Sequence, residues 1–346
     1  MFIDYITIMS LFLCGDVMIG RSFNDLFEKD HDFNIWGDIL DKTKMSDFFG
    51  INLETTITDN NEKFPNKVFN YKLSSKYKDV LTKAHVTYAN LANNHTMDFK
   101  EKGLLETIEN LDMLNIKHTG AGRNINEAKQ PAIIKIGNTT IGIISSSDHP
   151  PDFTATNKTP GTNIININDI EKWDIYMRDV LDLRKRVDLV IYSIHHGSNY
   201  VDVIPENTIR FFHKLVDNGV NIIHGHSAHH VLPIERYNGS YIFYSMGDFI
   251  DDYAVDQYYR NDLSFLAEIS IRSKKIESLK IYPTKITIDF HNGILYPQVN
   301  FLKKNSEDYE FIVNKTKYNE LEKMGGSNNP YMYKYFKYKY KYFKYK

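Results

Sequence analysis

Short apolar runs along this chain stop abruptly at Gly, Asn, Asp or His, and amphipathic stretches lie between them. The runs at 6–14, 47–53, 86–91, 139–145, 187–194, 220–224 and 241–246 read as strands. Near-continuous apolar character of this kind suits strands buried on both faces of a parallel sheet. Over 101–115, Leu104, Leu105, Ile108, Leu111 and Leu114 trace one face at helical spacing. Segments 169–185 and 206–217 also read as amphipathic helices, the second closed by Asn218-Gly219 as a C-cap. This alternation predicts an α/β layered domain. After residue 262 the pattern changes to short β-rich segments, 263–272, 275–281, 284–290 and 294–301, the last two joined by His291-Asn292-Gly293 as a hairpin turn. Residues 306–324 read as a terminal helix, and the Lys/Tyr/Phe run at 330–346 as a frayed low-complexity tail.

The strand ends carry the candidate chemistry. Asp16, Glu54, Asn94, His95, His195, His226 and His229 each follow a predicted strand. In open α/β sheets ligands collect outside the carboxyl ends of strands, so these distant residues can converge there. A mixture of carboxylate, amide and imidazole donors suits one or two borderline or hard divalent metals, with manganese, zinc and iron as candidates. Asn52 and Glu54 share a face by strand periodicity. Asn93-Asn94-His95, with Asp98 beyond it, is the sharpest signal. One of its Asn residues could simply cap the next helix. Alternatively, Asn94 is a neutral oxygen ligand and His95 a proton donor, a role matched to its near-neutral pKa. Of His195 and His196 only one can face the site from an extended strand end, and His195 is preferred. Asp251, Asp252 and Asp256 read as a solvated acidic loop, with a supporting role around the ligands or contact with a substrate amine as the alternative, and Arg21 and Arg123 as partners for an anionic substrate or surface residues.

Composition narrows the classes. The chain has 346 residues, 42% apolar and 14% aromatic, enough for a large core. Its one cysteine, Cys14, excludes an intrachain disulfide and a thiolate metal cluster, and reads as a buried small apolar group. The formal net charge is −2; setting aside the tail's six Lys leaves the body at −8. That acidity gives no general attraction to nucleic acid, which only the tail could bind, through Lys charge and Tyr stacking. No signal peptide or membrane span is recognised, because Asp4 interrupts the apolar start, so a cytoplasmic protein is expected. Nothing in the sequence speaks to oligomeric state.

Taken together, GDVMIGR, NLETTIT, LANNHTMDFKEKG, SIHHGSNY and GHSAHHVLPIERYNGSYIFYSMGDFI resemble the CapA family, associated with poly-γ-glutamate capsule biosynthesis and similar to calcineurin-like metallophosphoesterases. The likeness spans residues 7–255 in order; PNKVFNY at 65–71 and Asp148-His149-Pro150-Pro151 look like features of one branch. It implies an αββα layered sandwich with metals at a loop-rich edge and a β-rich extension at 263–303. On this reading, 1–303 form one domain, 304–329 hold the terminal helix and 330–346 the tail. The resemblance carries over Asp16, Glu54, Asn94, His195, His226 and His229 as metal ligands and His95 as proton donor. Asn52, Arg21, Asp98, His196 and Asp248 would surround the ligands or touch the substrate. Three positions depart from the metallophosphoesterase pattern: Met18 where a His is usual, Glu54 in place of the bridging Asp, and His226-x-x-His229 in place of His-x-His. Gly247-Asp248-Phe249 also replaces the family's usual Gly-Asn-Phe. The implied activity is metal-dependent hydrolysis of a phosphoester on a small or oligomeric anionic substrate. Hydrolysis or transfer of a γ-glutamyl amide, and a non-catalytic binding role, stand beside it.

Overall fold

The computed structural model describes residues 8–318. The tail at 330–346 and the helical expectation beyond 318 lie outside the described residues. Two sheets carry the architecture. In the first, the strand order is Ile294–Phe301, Lys275–His291, Leu263–Arg272, Met9–Val17, Phe48–Leu53, Tyr88–Asn90 and Lys117–Thr119, with Asp248–Ile250 set parallel beside the end of Met9–Val17. In the second it is Ile234–Tyr237, Ser240–Phe243, Ile222–His226, Leu189–His195, Thr139–Ser147 and Ala132–Ile136. The inner strands of both run parallel, and the C-terminal strands join the first sheet antiparallel.

Strand alternation sorts the apolar residues into three layers. Leu11 and Leu13 face the second sheet and pack with Ile141, Ile143, Ile191, Phe243 and Phe265. Phe12 and Cys14, on the opposite face, pack with Phe23 and Leu26 of helix Ser22–Lys29 and with Leu104, Ile108 and Leu111 of helix Lys100–Met113. Val190, Tyr192 and Ile194 point outward from the second sheet onto Met177, Val180, Phe211, Phe212 and Leu215 of helices Trp173–Arg184 and Glu206–Asp217. Helix, sheet, sheet and helix therefore stack as an αββα sandwich. Strands covered on both faces must be apolar on both, which explains the continuous runs in the sequence.

The predicted strands at 275–281 and 284–290 are one strand, Lys275–His291. Pro283 lies within it opposite Phe265, just beyond the point where the pairing with Ile294–Phe301 starts at Thr284, and its carbonyl accepts from the Leu302 N–H at 2.8 Å. Proline is tolerated there because the ladder on that side has ended and no N–H is needed to continue it. The helix expected at 306–324 is described as Glu307–Thr316, capped by Ser306. Asp308, in its first turn, bonds Lys285 at 2.8 Å and pairs with Arg260 at 2.9 Å, which ties the helix to the sheet. Burial alone would raise the Asp308 pKa, yet Lys285 and Arg260 hold it below the usual value. Its contribution to stability is therefore present above the ordinary Asp pKa and is lost as pH falls below it. Asp308→Asn is expected to cost about 1 kcal/mol in urea unfolding at pH 7, and less at pH 3. An equal cost at both values would count against this account.

Candidate metal centre

All the parallel strands deliver their carboxyl ends to one edge. Across the first sheet, Asp248, Asp16, Asn52 and Asn90 stand side by side in register. Across the second, His195 stands beside His226. Asn52 donates to Asp16 Oδ1 at 2.7 Å, and Asn90 donates to Asn52 Oδ1 at 2.6 Å. Asn93 donates to the same Asn52 oxygen at 3.1 Å and to the Leu53 carbonyl at 2.8 Å. This amide chain fixes Asp16 Oδ1, while the Ser227 N–H reaches Oδ2 at 3.3 Å.

Two donor groups share Asp16. Ligand atoms of Asp16, His195 and His226 lie within 4.8 Å of one another, and so do those of Asp16, His229 and Asp248. Ser227 and His229 adopt positive φ, 107° and 59°, and this tight turn after strand Ile222–His226 brings His229 back to Asp248 at 2.8 Å.

A hydrogen-bond chain sets the tautomer of His226. The Cys14 carbonyl can only accept, so His224 Nε2, 2.7 Å away, donates to it. His224 Nδ1 is then an acceptor for the Ser193 hydroxyl at 3.0 Å. Ser193 Oγ in turn accepts from His226 Nε2 at 3.1 Å. The lone pair left on His226 Nδ1 faces Asp16 Oδ1 at 3.9 Å and His195 Nδ1 at 2.9 Å. Outer hydrogen bonds of this kind orient metal-binding imidazoles.

The orphaned atoms test the fit of a cation. Glu54 is fully buried, and neither of its carboxylate oxygens has a hydrogen-bond partner. The Asn94 amide oxygen and Asp248 Oδ2 are likewise buried without partners. Unpaired buried oxygens cost several kcal/mol each unless something fills their lone pairs. Burial and then the charge of Asp16 push both Glu54 and Asp248 well above the usual carboxylate range. Burial also raises Asp16, against His229 and Asn52. Burial, with His226 adding to it, holds His195 neutral, and burial with His224 does the same for His226. Crowded acids beside neutral imidazoles are the donor set a borderline divalent cation would stabilise.

His95 stands apart from the donor groups as an oriented imidazole. Its Nδ1 lies 2.6 Å from Asp98 Oδ2, and its Nε2 lies 3.8 Å from Glu54 Oε1. Tyr71 stacks on the ring at 4.1 Å. Burial lowers the His95 pKa to about 4, against the opposing pull of Asp98. Lys67 Nζ ion-pairs with Asp98 and sits 3.1 Å from His95 Nδ1.

Other sequence expectations land elsewhere. His196 turns out of the site and binds Asp148 at 2.6 Å and Thr208 at 2.8 Å, because the next residue of a strand faces the opposite side. Asp251 and Asp252 are buried and not solvated: Asp251 accepts from the Tyr253 N–H at 2.9 Å, and Asp252 from the Ser22 N–H at 3.1 Å. Arg123 pairs with Glu127 on the surface, whereas Arg21 lies beside Asp252 near the site. Met18 is buried, and its sulfur accepts from the Gly20 N–H at 3.4 Å. Asp248, expected around the ligands, joins a donor group itself. Sequence reasoning missed Asn90, Lys67, Tyr71 and Tyr253. Asn90 had a signal, since it ends a strand in register with Asn52. Lys67 and Tyr71 lie in an irregular loop with no period to read.

Residues 10–253 match the family described as bacterial capsule synthesis protein PGA_cap. The chain belongs to this family. A probable polyglutamine synthesis accessory protein of Mycobacterium tuberculosis is 32% identical over 268 residues, covering 73% of this chain and 70% of the relative. The PGA biosynthesis protein CapA of Bacillus subtilis is 27% identical, covering 88% of this chain and 77% of its own. Among solved structures, a 5'-nucleotidase precursor from Thermus thermophilus covers 84% of this chain and 55% of its own, at 13% identity and a TM-score of 0.46. At that distance no activity is carried over to this chain. No described helix is long and apolar enough to cross a membrane.

Proposed function

We propose that this member of the capsule synthesis family is a metal-dependent hydrolase acting on a phosphoester, with His95 as the proton donor. The observation that carries this reading is Glu54: a carboxylate fully buried, with both oxygens unpartnered, beside Asp16 and facing His95. Asp16, Glu54, Asn94, His195, His226, His229 and Asp248 would hold one or two divalent ions, with manganese, zinc or iron as the candidates. When bound, such an ion supplies Lewis acidity and lowers the pKa of water at the site. The protein's own residues do the rest. Asp98 fixes the His95 ring through Nδ1, and its charge opposes the burial that otherwise keeps the ring neutral. An anionic substrate beside the ring would favour the imidazolium further, and its Nε2–H, on the side of Glu54, would protonate a leaving oxygen. The amide chain from Asn90 through Asn52 holds Asp16 against rotation.

A second reading, cleavage or transfer of a γ-glutamyl amide, is favoured by the names of the relatives, which refer to polyglutamine synthesis and PGA biosynthesis. A divalent ion at this site could promote hydrolysis of an amide as well as of a phosphoester, so the donor set would serve either.

Purified protein reconstituted with manganese or zinc should hold metal at near-stoichiometric levels by mass spectrometry. Asn94→Ala should weaken metal affinity by roughly tenfold or more and so lower occupancy at limiting metal, since loss of even an outer hydrogen-bond partner of a ligand costs about that much. Occupied protein would then be offered phosphoesters and γ-glutamyl peptides. Absence of metal under every condition would reverse the proposal in favour of a non-catalytic binding protein.

A further inference from the structure

The acidic floor of the site is capped by proton donors. Tyr71 and Tyr253 approach each other at 5.9 Å between ring centroids. Each ring is also seated on an imidazole of the centre. Tyr71 stacks on His95, and Tyr253 meets His229 edge-on at 5.6 Å. His95 in turn lies 3.8 Å from Glu54 Oε1, and the charge of Glu54 bears on both phenols.

Arg21 closes the same mouth. Its guanidinium carbon sits 5.8 Å from the Tyr71 ring centre and 5.7 Å from that of Tyr253, within cation–π range of both. The side chain is 42% exposed, and Asp252 contacts it through a single pairing of 3.4 Å. A guanidinium carries five N–H donors, so most remain for a ligand. The backbone at Arg21 has φ 50° and ψ −118°, an unfavourable conformation for a residue with a side chain. A strained, half-exposed arginine between two tyrosines above a metal centre fits a ligand contact better than a surface ion pair.

We propose that Arg21, Tyr71 and Tyr253 form an oxyanion-binding subsite at the mouth of the metal centre, which takes a carboxylate or phosphate group of the substrate. This rests on the hydrolase reading for its role in turnover, but not for binding itself. The guanidinium supplies a planar fork that grips two oxygens, and the phenols supply single donors from the other side. Substrates carrying an anionic group at or next to the scissile bond are selected, and neutral esters or amides are not.

The test is calorimetric titration of the full chain with inorganic phosphate and, separately, with L-glutamate, each with and without manganese. Arg21→Gln should weaken the bound probe roughly 10- to 100-fold, and Tyr253→Phe by a smaller factor. Arg21→Lys should recover only part of the loss, because an ammonium lacks the fork. Phosphate alone showing the Arg21 dependence assigns a phosphate subsite, and glutamate alone a carboxylate subsite. Metal content is measured on the same samples. Loss of probe binding with wild-type metal content supports the subsite, and so does Arg21-dependent binding by protein that takes no metal, which would sink the hydrolase reading alone. Unchanged affinity for both probes in Arg21→Gln and Tyr253→Phe, or no binding of either probe by the wild type, overturns it. A lower melting temperature in Arg21→Gln with unchanged binding would make Arg21 a clamp on the Ser22–Lys29 helix, which also overturns it.

Discussion

His95→Ala is expected to lower turnover of a phosphoester by about 10²- to 10⁴-fold while leaving metal content at the wild-type level. The separation follows from geometry. His95 belongs to neither donor group around Asp16, and its Nε2 lies 3.8 Å from Oε1 of Glu54, which is outside both groups. Its Nδ1 is occupied by Asp98, so only Nε2 can serve the reaction. Asp98→Asn is the companion variant. It keeps the shape but removes the charge that favours the protonated ring, so activity should again fall while metal stays. The measurement is kcat beside metal content for each variant. Loss of metal in His95→Ala would make this residue a ligand and end its assignment as proton donor.

The second large effect is on stability. Chelation should destabilise the protein, and more strongly as pH rises. Burial pushes Asp16, Glu54, Asp248 and Asp251 upward, and neighbouring acids push Glu54, Asp248 and Asp251 further. In the metal-free fold these groups keep protons that the unfolded chain gives up above its ordinary carboxylate pKa. The unfolded state then binds fewer protons at these groups, and their contribution to stability falls as pH rises. The buried imidazoles His95, His195, His224 and His226 act in the opposite sense over the same range, so the test reads the metal increment and not the melting temperature of the chelated protein alone. A cation replaces the protons and releases them, so its stabilising increment grows with pH. At free metal of about 1,000 times Kd the increment is about 4 kcal/mol, or roughly 5–10 °C in Tm. Calorimetry with and without chelator at pH 5 and pH 8 reads the difference directly. Equal melting temperatures at pH 8 would mean that the buried acids are not a cation site.

Together the two experiments divide the site by role. The first asks what moves a proton, and the second asks what holds charge in the interior. Glu54 links them, since its unpartnered oxygens face both the donor groups and His95.

The sequence by itself determined the layers and the set of strand ends. Apolar runs such as 187–194 had to be strands covered on both faces, and the observed Leu189–His195 is one. Helix Glu206–Asp217 and strands Leu263–Arg272 and Ile294–Phe301 fell where periodicity placed them, because local spacing alone sets which face is buried. Asp16, Glu54, His195, His226 and His229 were legible for a related reason: a polar residue ending a buried strand has few places to go. Tertiary structure decided the rest. It brought Asp248 beside Asp16 through a parallel pairing of residues 232 positions apart, a separation over which no local period carries information. It buried Asp251 and Asp252, which any sequence reading gives to solvent, because the Ser22 and Tyr253 N–H groups were waiting for them. It set Lys67, Tyr71 and Tyr253 over the mouth from irregular segments, where a residue's neighbours depend on the whole path of the chain. Strand periodicity fixes the direction of a side chain at the end of a run; what stands opposite depends on the packing of two sheets, and that is a property of the folded molecule alone.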